Sequence, residues 1–298
     1  MDAVQNVKPH AFSAAQDYFD RLTKELPAFR ISVDVDPLSD EISDNFSSFL
    51  PYRNEIIELV RAIARGPDNL RFGDALHSVF EKLLPTFQAT RDSGRYREFD
   101  FDNYRFFARE LFLYASAILI EEGRVDLLEI LLRKPYYDHV RAEYGGLEVI
   151  SYVAFDYSDR LLEFRNSKLR LNLSAPDVSL LKERSVGTGI RFEQLMEADF
   201  VLFLRSNLHR GEMIRGWYPR TLSALEFGHR AFTIFARARS KRDLDVLLKI
   251  LGVESRAPLD ELLQSFADKS LKSPTLGRGW QDVDVPRLAG FSELGTQS

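Results

Sequence analysis

Residues 102–123, "DNYRFFARELFLYASAILIEEG", form the most apolar stretch of the chain, and their reading decides the fold. The longest uncharged run within them, 111–120, is 10 residues long. A bilayer span needs roughly 20 apolar residues. Arg105, Arg109 and Glu110 precede the run, and Glu121 and Glu122 follow it. At helical spacing, Phe107, Leu111, Tyr114 and Ile118 fall on one face, and Phe106, Leu113, Ala117 and Ile120 on another. A helix that is apolar all round is enclosed by other helices. The stretch therefore predicts a central core helix, with Asp102 as its N-cap and Gly123 as its C-cap.

Outward from this helix the apolar period stays near 3.6 residues almost throughout. It predicts helices over 10–26, with a stripe of Phe12, Ala15, Phe19 and Leu22, and over 40–49, 51–65, 73–90 and 125–134. Further helices are predicted over 155–170, 176–185, 191–208, 221–239 and 258–270. Pro51 stands in the first turn of its helix, and "SKRD" at 240–243 reads as a capping box before "LDVLLKILG". "FRISVDVDP", 29–37, is the best strand candidate because Ile31, Val33 and Val35 alternate. Residues 135–153 are mixed, turning at Gly145-Gly146. From 271, helical period gives way to Gly, Pro and Ser, with Trp280 and Phe291 as the residues through which this part could pack. The expected fold is all-α: a single multi-helix domain over 1–270 and an irregular C-terminal tail over 271–298, with at most one short strand pair.

Composition narrows the function. The chain of 298 residues has no cysteine, which excludes disulfides, thiolate zinc sites and cysteine nucleophiles. It suits a reducing, cytoplasmic setting. The N-terminal stretch lacks a basic region followed by an apolar run, so no signal peptide is expected, and no membrane partner is expected either. With 23 Phe and 11 Tyr, aromatic packing should dominate the core. There is no phosphate-binding G-x-x-x-x-G-K-[ST], no H-E-x-x-H and no G-x-S-x-G, and no cofactor is implied. The D-x-D pairs Asp34/Asp36, Asp100/Asp102, Asp243/Asp245 and Asp282/Asp284 are expected by chance in a chain with 45 acids, so no metal site is assigned.

Arg71 and His77 have a spacing that resembles the Arg/His pair of HEPN-type ribonucleases, which are all-α and metal-free. Arg205 and His209 are one residue short of that spacing. Set against this resemblance, His77 reads as a residue on a wet helix face between Asp74 and Glu81.

Two features stand out chemically. Glu110 and Asp199 have only apolar neighbours three and four residues away on their own helices. Each therefore needs a distant partner, either as an acid/base or ligand-anchoring group or as half of a structural pair. The second feature is charge asymmetry. Between residues 205 and 242 nine cations oppose Glu212 and Glu226, a net +7, which leaves −12 on the rest of a chain whose total is −5. Arg205, His209, Arg210, Arg215, Arg220, Arg237, Arg239 and Arg242 are the candidate anion-binding residues, with Trp217 and Tyr218 as stacking surfaces. The alternative is internal pairing with acids such as those of 34–44. The functional expectation is a non-catalytic cytosolic binding or regulatory protein. Its Arg-rich segment would engage a nucleic acid, a nucleotide or an acidic protein face, or a further copy of the chain. A HEPN-like ribonuclease of a toxin or defence system, and a structural subunit of a larger assembly, are the alternatives.

Overall fold

The computed structural model describes residues 11–66, 70–90, 94–143, 145–157, 159–212, 216–226, 228–276 and 281–297. The fold is all-α, as the period predicts. Two compact units, Met1–Asp177 and Val178–Ser298, make up the chain, and each is described by itself.

The first unit is built around the central helix α5, Asp102–Glu121. Before it come α1 (Ala11–Glu25), α2 (Glu41–Ser47), α3 (Leu50–Arg65) and α4 (Arg71–Leu83). After it come α6 (Val125–Arg133), α7 (His139–Glu143) and α8 (Arg160–Leu169). Every residue of α5 from Asp102 to Leu119 is buried except Arg105. Aromatic rings form much of its enclosure. Phe107 lies 4.7 Å from Phe49, and Phe112 lies 5.0 Å from both Phe80 and Phe155. The helix ends as its sequence implies: Gly123 takes φ +68°, and Arg124 N–H bonds back to the Leu119 carbonyl at 2.8 Å. Its start differs from expectation. Phe101 occupies the cap position, and Asp102 is the first helical residue. Helices α4 and α6 touch at Gly73, where a Cβ would stand 2.6 Å from Ile130 Cδ1. Of the α1 stripe, Ala15, Phe19 and Leu22 are buried, and the Phe12 side chain lies outside the described residues.

Residues 29–37 do not form the expected strand. Ile31 is buried and the alternation is real, but no second strand among the described residues lies alongside. Arginines take the backbone acceptors instead. Arg97 donates to the carbonyls of Ser32 and Val35 at 3.0 Å, and Arg165 donates to those of Pro37 (2.7 Å) and Ser39 (2.6 Å). Strand pairing among the described residues comprises two antiparallel ladders, one more than expected, each with two residues per strand, and an isolated parallel bridge between Ser240 and Gln297. One ladder joins β1 (Tyr136–Tyr137) to β2 (Val149–Ile150) across the predicted turn, and the other joins β3 (Thr275–Leu276) to β4 (Gln281–Asp282).

Helix α9, Pro176–Ser185, spans the unit boundary. In the second unit, α10 (Phe192–Leu208) is the buried element, with α11 (Thr233–Arg237), α12 (Lys241–Leu251), α13 (Arg256–Ala267) and α14 (Val285–Leu288). Phe200 of α10 sits 5.4 Å from both Phe232 and Phe235, and Phe203 sits 5.7 Å from Phe266. The helix expected over 221–239 is broken. A 3₁₀ turn covers Arg220–Ala224, Gly228 takes φ +80°, and α11 begins only at Thr233. The Glu197 carboxylate of α10 accepts the Ile234 N–H at 3.3 Å and fixes where α11 starts. Residues 281–297, within the expected tail, are docked. Val285, Leu288 and Leu294 are buried, and the N–H groups of Gly295 and Gln297 bond to the carbonyls of Ala238 and Arg239. Phe291 is half-buried, and Trp280 lies outside the described residues.

Leu113 is fully buried on a helix enclosed on all sides. Leu113→Asp is expected to abolish cooperative thermal unfolding, because a charge there has no route to water. A soluble variant with a sharp melt would contradict this packing.

Candidate functional site

Among the candidate anion-binding residues of 205–242, two groups lie at opposite ends of α12. Arg205, on the last turn of α10, is buried and donates from Nη1 to the Ile250 carbonyl at 2.6 Å. His209 Nε2 lies 3.1 Å from the Leu251 carbonyl. Both side chains close over Gly252, φ +74°, where a Cβ would lie 2.9 Å from His209 Nε2 and 3.0 Å from Arg205 Cζ. They thus occupy the C-terminal carbonyls of α12, which a helix leaves without internal donors. Arg237, Arg239 and Arg242 lie at the other end, around the turn that joins α11 to α12. The 11 residues of α12 separate the two ends by about 16 Å. The candidate anion-binding set is therefore not one site.

Exposure divides the set further. Arg210, Arg237 and Arg242 are exposed, as are Arg230 and Lys241, whereas Arg220 is half-buried. Arg239 is half-buried and forms an ion pair with Glu293. Arg215 lies outside the described residues. The expected stacking role of Trp217 is corrected. Its side chain is 2% exposed, and its indole Nε1–H donates to Asp199 Oδ1 at 2.6 Å. Tyr218 remains 39% exposed, with its hydroxyl bonded to the Thr275 carbonyl at 2.7 Å.

Both misplaced carboxylates have the distant partners their surroundings demand. Glu110 faces Arg53 across from α3, Oε1 to Nη1 3.6 Å, with both side chains buried. The same Nη1 lies 3.3 Å from the Tyr114 hydroxyl. Asp199 accepts from Trp217 Nε1, from Thr221 N–H at 2.8 Å and from Thr221 Oγ1 at 2.7 Å. These bonds anchor the chain that returns after α10. They build no acid/base pair: each carboxylate is held by donors of its own unit.

The Arg/His pairs fare alike. Arg71 is exposed, but His77 is buried, which corrects its expected place on a wet face. Its ring stacks on Tyr136, centroids 4.1 Å apart and planes at 17°, and its Nε2 has no hydrogen-bond partner. Burial, together with the Lys134 charge, pushes the imidazole below its ordinary value near 6.5. Glu81 and the backbone of Lys134 and Pro135 pull the other way. Several of the D-x-D carboxylates serve local structure. Asp100 holds Arg97, and Asp284 caps α14; of the expected capping box only the Ser240 N-cap forms, since Asp243 accepts the Ser240 hydroxyl at 2.8 Å while the Ser240 N–H bonds the Arg237 carbonyl.

Sequence reasoning missed two carboxylates that act across elements. Asp102 Oδ2 accepts the N–H groups of Arg160 and Leu161, both at 2.8 Å, at the start of α8, and its Oδ1 bonds Arg105 at 2.9 Å. Burial still holds its carboxyl above the usual range. Glu197, also raised by burial, starts α11 and thereby places Arg237. For Glu197 the sequence signal was an acid with no cation three or four residues away on its own helix; for Asp102, which has Arg105 there, no such signal existed.

No protein-family model matches this sequence, and comparison with curated proteins and with solved structures likewise finds no match.

Asp199→Ala leaves three converging donors buried without an acceptor, and is expected to cost about 2–5 kcal/mol by denaturant unfolding. A loss under about 0.5 kcal/mol would show that the second unit does not depend on this anchor. His77 gives a pH signature. Its folded value is depressed, so the unfolded chain takes the proton first. The stability it contributes is present above pH near 6.5 and is lost as pH falls from there towards the depressed folded value. His77→Phe, which keeps the stack on Tyr136, should flatten the fall in melting temperature on acidification. Identical pH slopes in both proteins would refute the assignment.

Proposed function

We propose that the chain is a non-catalytic, cytosolic binding or regulatory protein that engages an anionic partner at the corner between α11 and α12. The observation that carries this is the concentration of exposed cations there. Arg237 ends α11, and Lys241 and Arg242 open α12, all three exposed, with Arg239 between them. Asp245, one turn along α12 from Lys241 and Arg242, is exposed, whereas the other nearby acids are engaged. Glu293 is paired with Arg239, Asp243 accepts the Ser240 hydroxyl, and Glu197 accepts the Ile234 N–H. Lys241 and Arg242 also sit in the first turn of an 11-residue helix, at the positive end of its dipole. Cations are disfavoured at that position, and an anion bound there would relieve the repulsion. Arginine suits such a partner because its planar fork bonds phosphate or carboxylate at two points. The cysteine-free composition is in keeping with a reducing compartment.

The ribonuclease alternative draws no support from its two Arg/His pairs. One places its histidine against Tyr136 in the core, and the other is occupied with the carbonyls of Ile250 and Leu251.

Binding of a fluorescein-labelled single-stranded oligonucleotide, followed by anisotropy across a salt series, tests the proposal. With three phosphate contacts, log K should fall against log salt with a slope of about −2 to −3. Arg237→Glu with Arg242→Glu should remove binding and leave the melting temperature within a few degrees of the parent. Equal binding by parent and variant, or unfolding of the variant, would contradict the assignment. Arg239 is left intact in this test because reversing it would also break its pair with Glu293.

A further inference from the structure

The end of α8 carries a surface feature that the proposed function does not use. Residues 167–174, "SKLRLNLS", are all exposed. Three of them are leucines: Leu169 is 41%, Leu171 51% and Leu173 37% exposed, beside Phe164 at 36%. Single exposed leucines are ordinary, but four large apolar side chains within ten residues form a patch. The patch is also held in shape. Asn166 clamps the loop from both sides, its Nδ2 donating to the Leu173 carbonyl at 2.9 Å while its Oδ1 accepts the Leu173 N–H at 3.0 Å. The Leu171 N–H bonds the Asn166 carbonyl at 3.1 Å. Arg170 and Asn172, alternating with the leucines, take φ +54° and +59°. Left-handed backbone at residues other than glycine is disfavoured, more so for arginine than for asparagine. The loop therefore keeps two costly conformations while displaying its leucines to solvent.

Charge identifies the kind of partner. Lys168 and Arg170 flank the leucines, and no acid occurs from 164 to 176. Lys168 Nζ lies 5.8 Å from the centre of the Phe164 ring, so the cation belongs to the same patch. A second copy docking loop to loop would bring these cations together, which disfavours self-association here. Residues 167–174 are all exposed, and an acyl surface can receive these leucines without a shaped site, whereas a protein partner would have to supply a matching pocket.

We propose that loop 169–173 is a membrane-surface contact, in which Leu169, Leu171 and Leu173 enter the interface of an anionic bilayer while Lys168 and Arg170 meet its headgroups. This requires no spanning segment; no helix among the described residues is long and apolar enough to cross a membrane. Two weak signals, apolar insertion and basic attraction, acting together give reversible attachment. The contact lies in the first unit, and the cation corner in the second.

Co-sedimentation of the full chain with vesicles tests the proposal. Vesicles containing phosphatidylserine should bind it, and vesicles of phosphatidylcholine alone should bind it at least about ten-fold more weakly. Leu171→Ser with Leu173→Ser, and separately Lys168→Asn with Arg170→Asn, should each weaken binding to the anionic vesicles at least about ten-fold with unchanged circular dichroism. Asparagine is chosen because it tolerates the left-handed backbone at 170. Arg237→Glu with Arg242→Glu should bind the vesicles as the parent does. No binding to anionic vesicles would overturn the proposal. So would loss of binding in the Arg237/Arg242 variant with retention in both loop variants. Protection of Leu171 by an acidic amphipathic peptide, without vesicle binding, would assign the loop to a protein partner instead.

Discussion

Folding this chain leaves many backbone carbonyls away from water and beyond the reach of any helix or ladder, and the hydrogen bonds from arginine to those carbonyls are what the architecture depends on. A buried carbonyl without a donor is costly, and guanidinium offers five N–H groups in a fixed fork. Arg124 reaches the carbonyls of Ile63, Ala64 and Gly66 and so closes the end of α3. Arg205 closes the end of α12, Arg165 and Arg97 hold the irregular stretch around 32–39, and Arg256 takes the Leu294 carbonyl. Arg124 and Arg205 also place their charge at the negative ends of helix dipoles. This accounts for the strong preference for arginine over lysine, since an ammonium cannot bridge several carbonyls in one plane.

The same constraint governs the acids on buried helices. Around α5, Asp102 receives the first N–H groups of α8, Arg109 pairs with Asp156, and Glu110 faces Arg53. Replacing one member strands the other away from water, so these contacts fix register more than they add net stability. Asp199 does the equivalent in the second unit through Trp217 and Thr221. Once the internal side chains are subtracted, the exposed cations of the Arg-rich segment reduce to a few positions, and those nearest one another flank the start of α12.

What was legible in the sequence is what short-range physics decides. The core helix, the glycine that ends it, Pro51 opening α3 and the Ser240 cap all follow from residues within a turn of one another. The need of Glu110 and Asp199 for partners was legible too, because it is a statement about their immediate neighbours. The partners were not, since Arg53 is 57 positions away from Glu110. Residues 29–37 read as a strand because alternation reports burial, and burial on one side does not require a ladder. Trp217 read as a stacking surface because indoles near arginines suit a ligand, yet its N–H was already committed to a carboxylate. His77 sat between acids in sequence, but a ring on the β1 strand covers that face. The start of α11 at Thr233 was equally hidden, for the acceptor of its Ile234 N–H is Glu197 of another helix.

The central claim is that arginines in this protein divide into internal carbonyl donors and a small exposed set left for a partner. Modification of the native protein with phenylglyoxal, read residue by residue by peptide mass spectrometry, measures that division directly. Arg124, Arg165 and Arg205 should stay protected until the protein unfolds, while Arg237 and Arg242 react at the rate of an open chain. Reaction of Arg205 as fast as that of Arg237 would contradict the account.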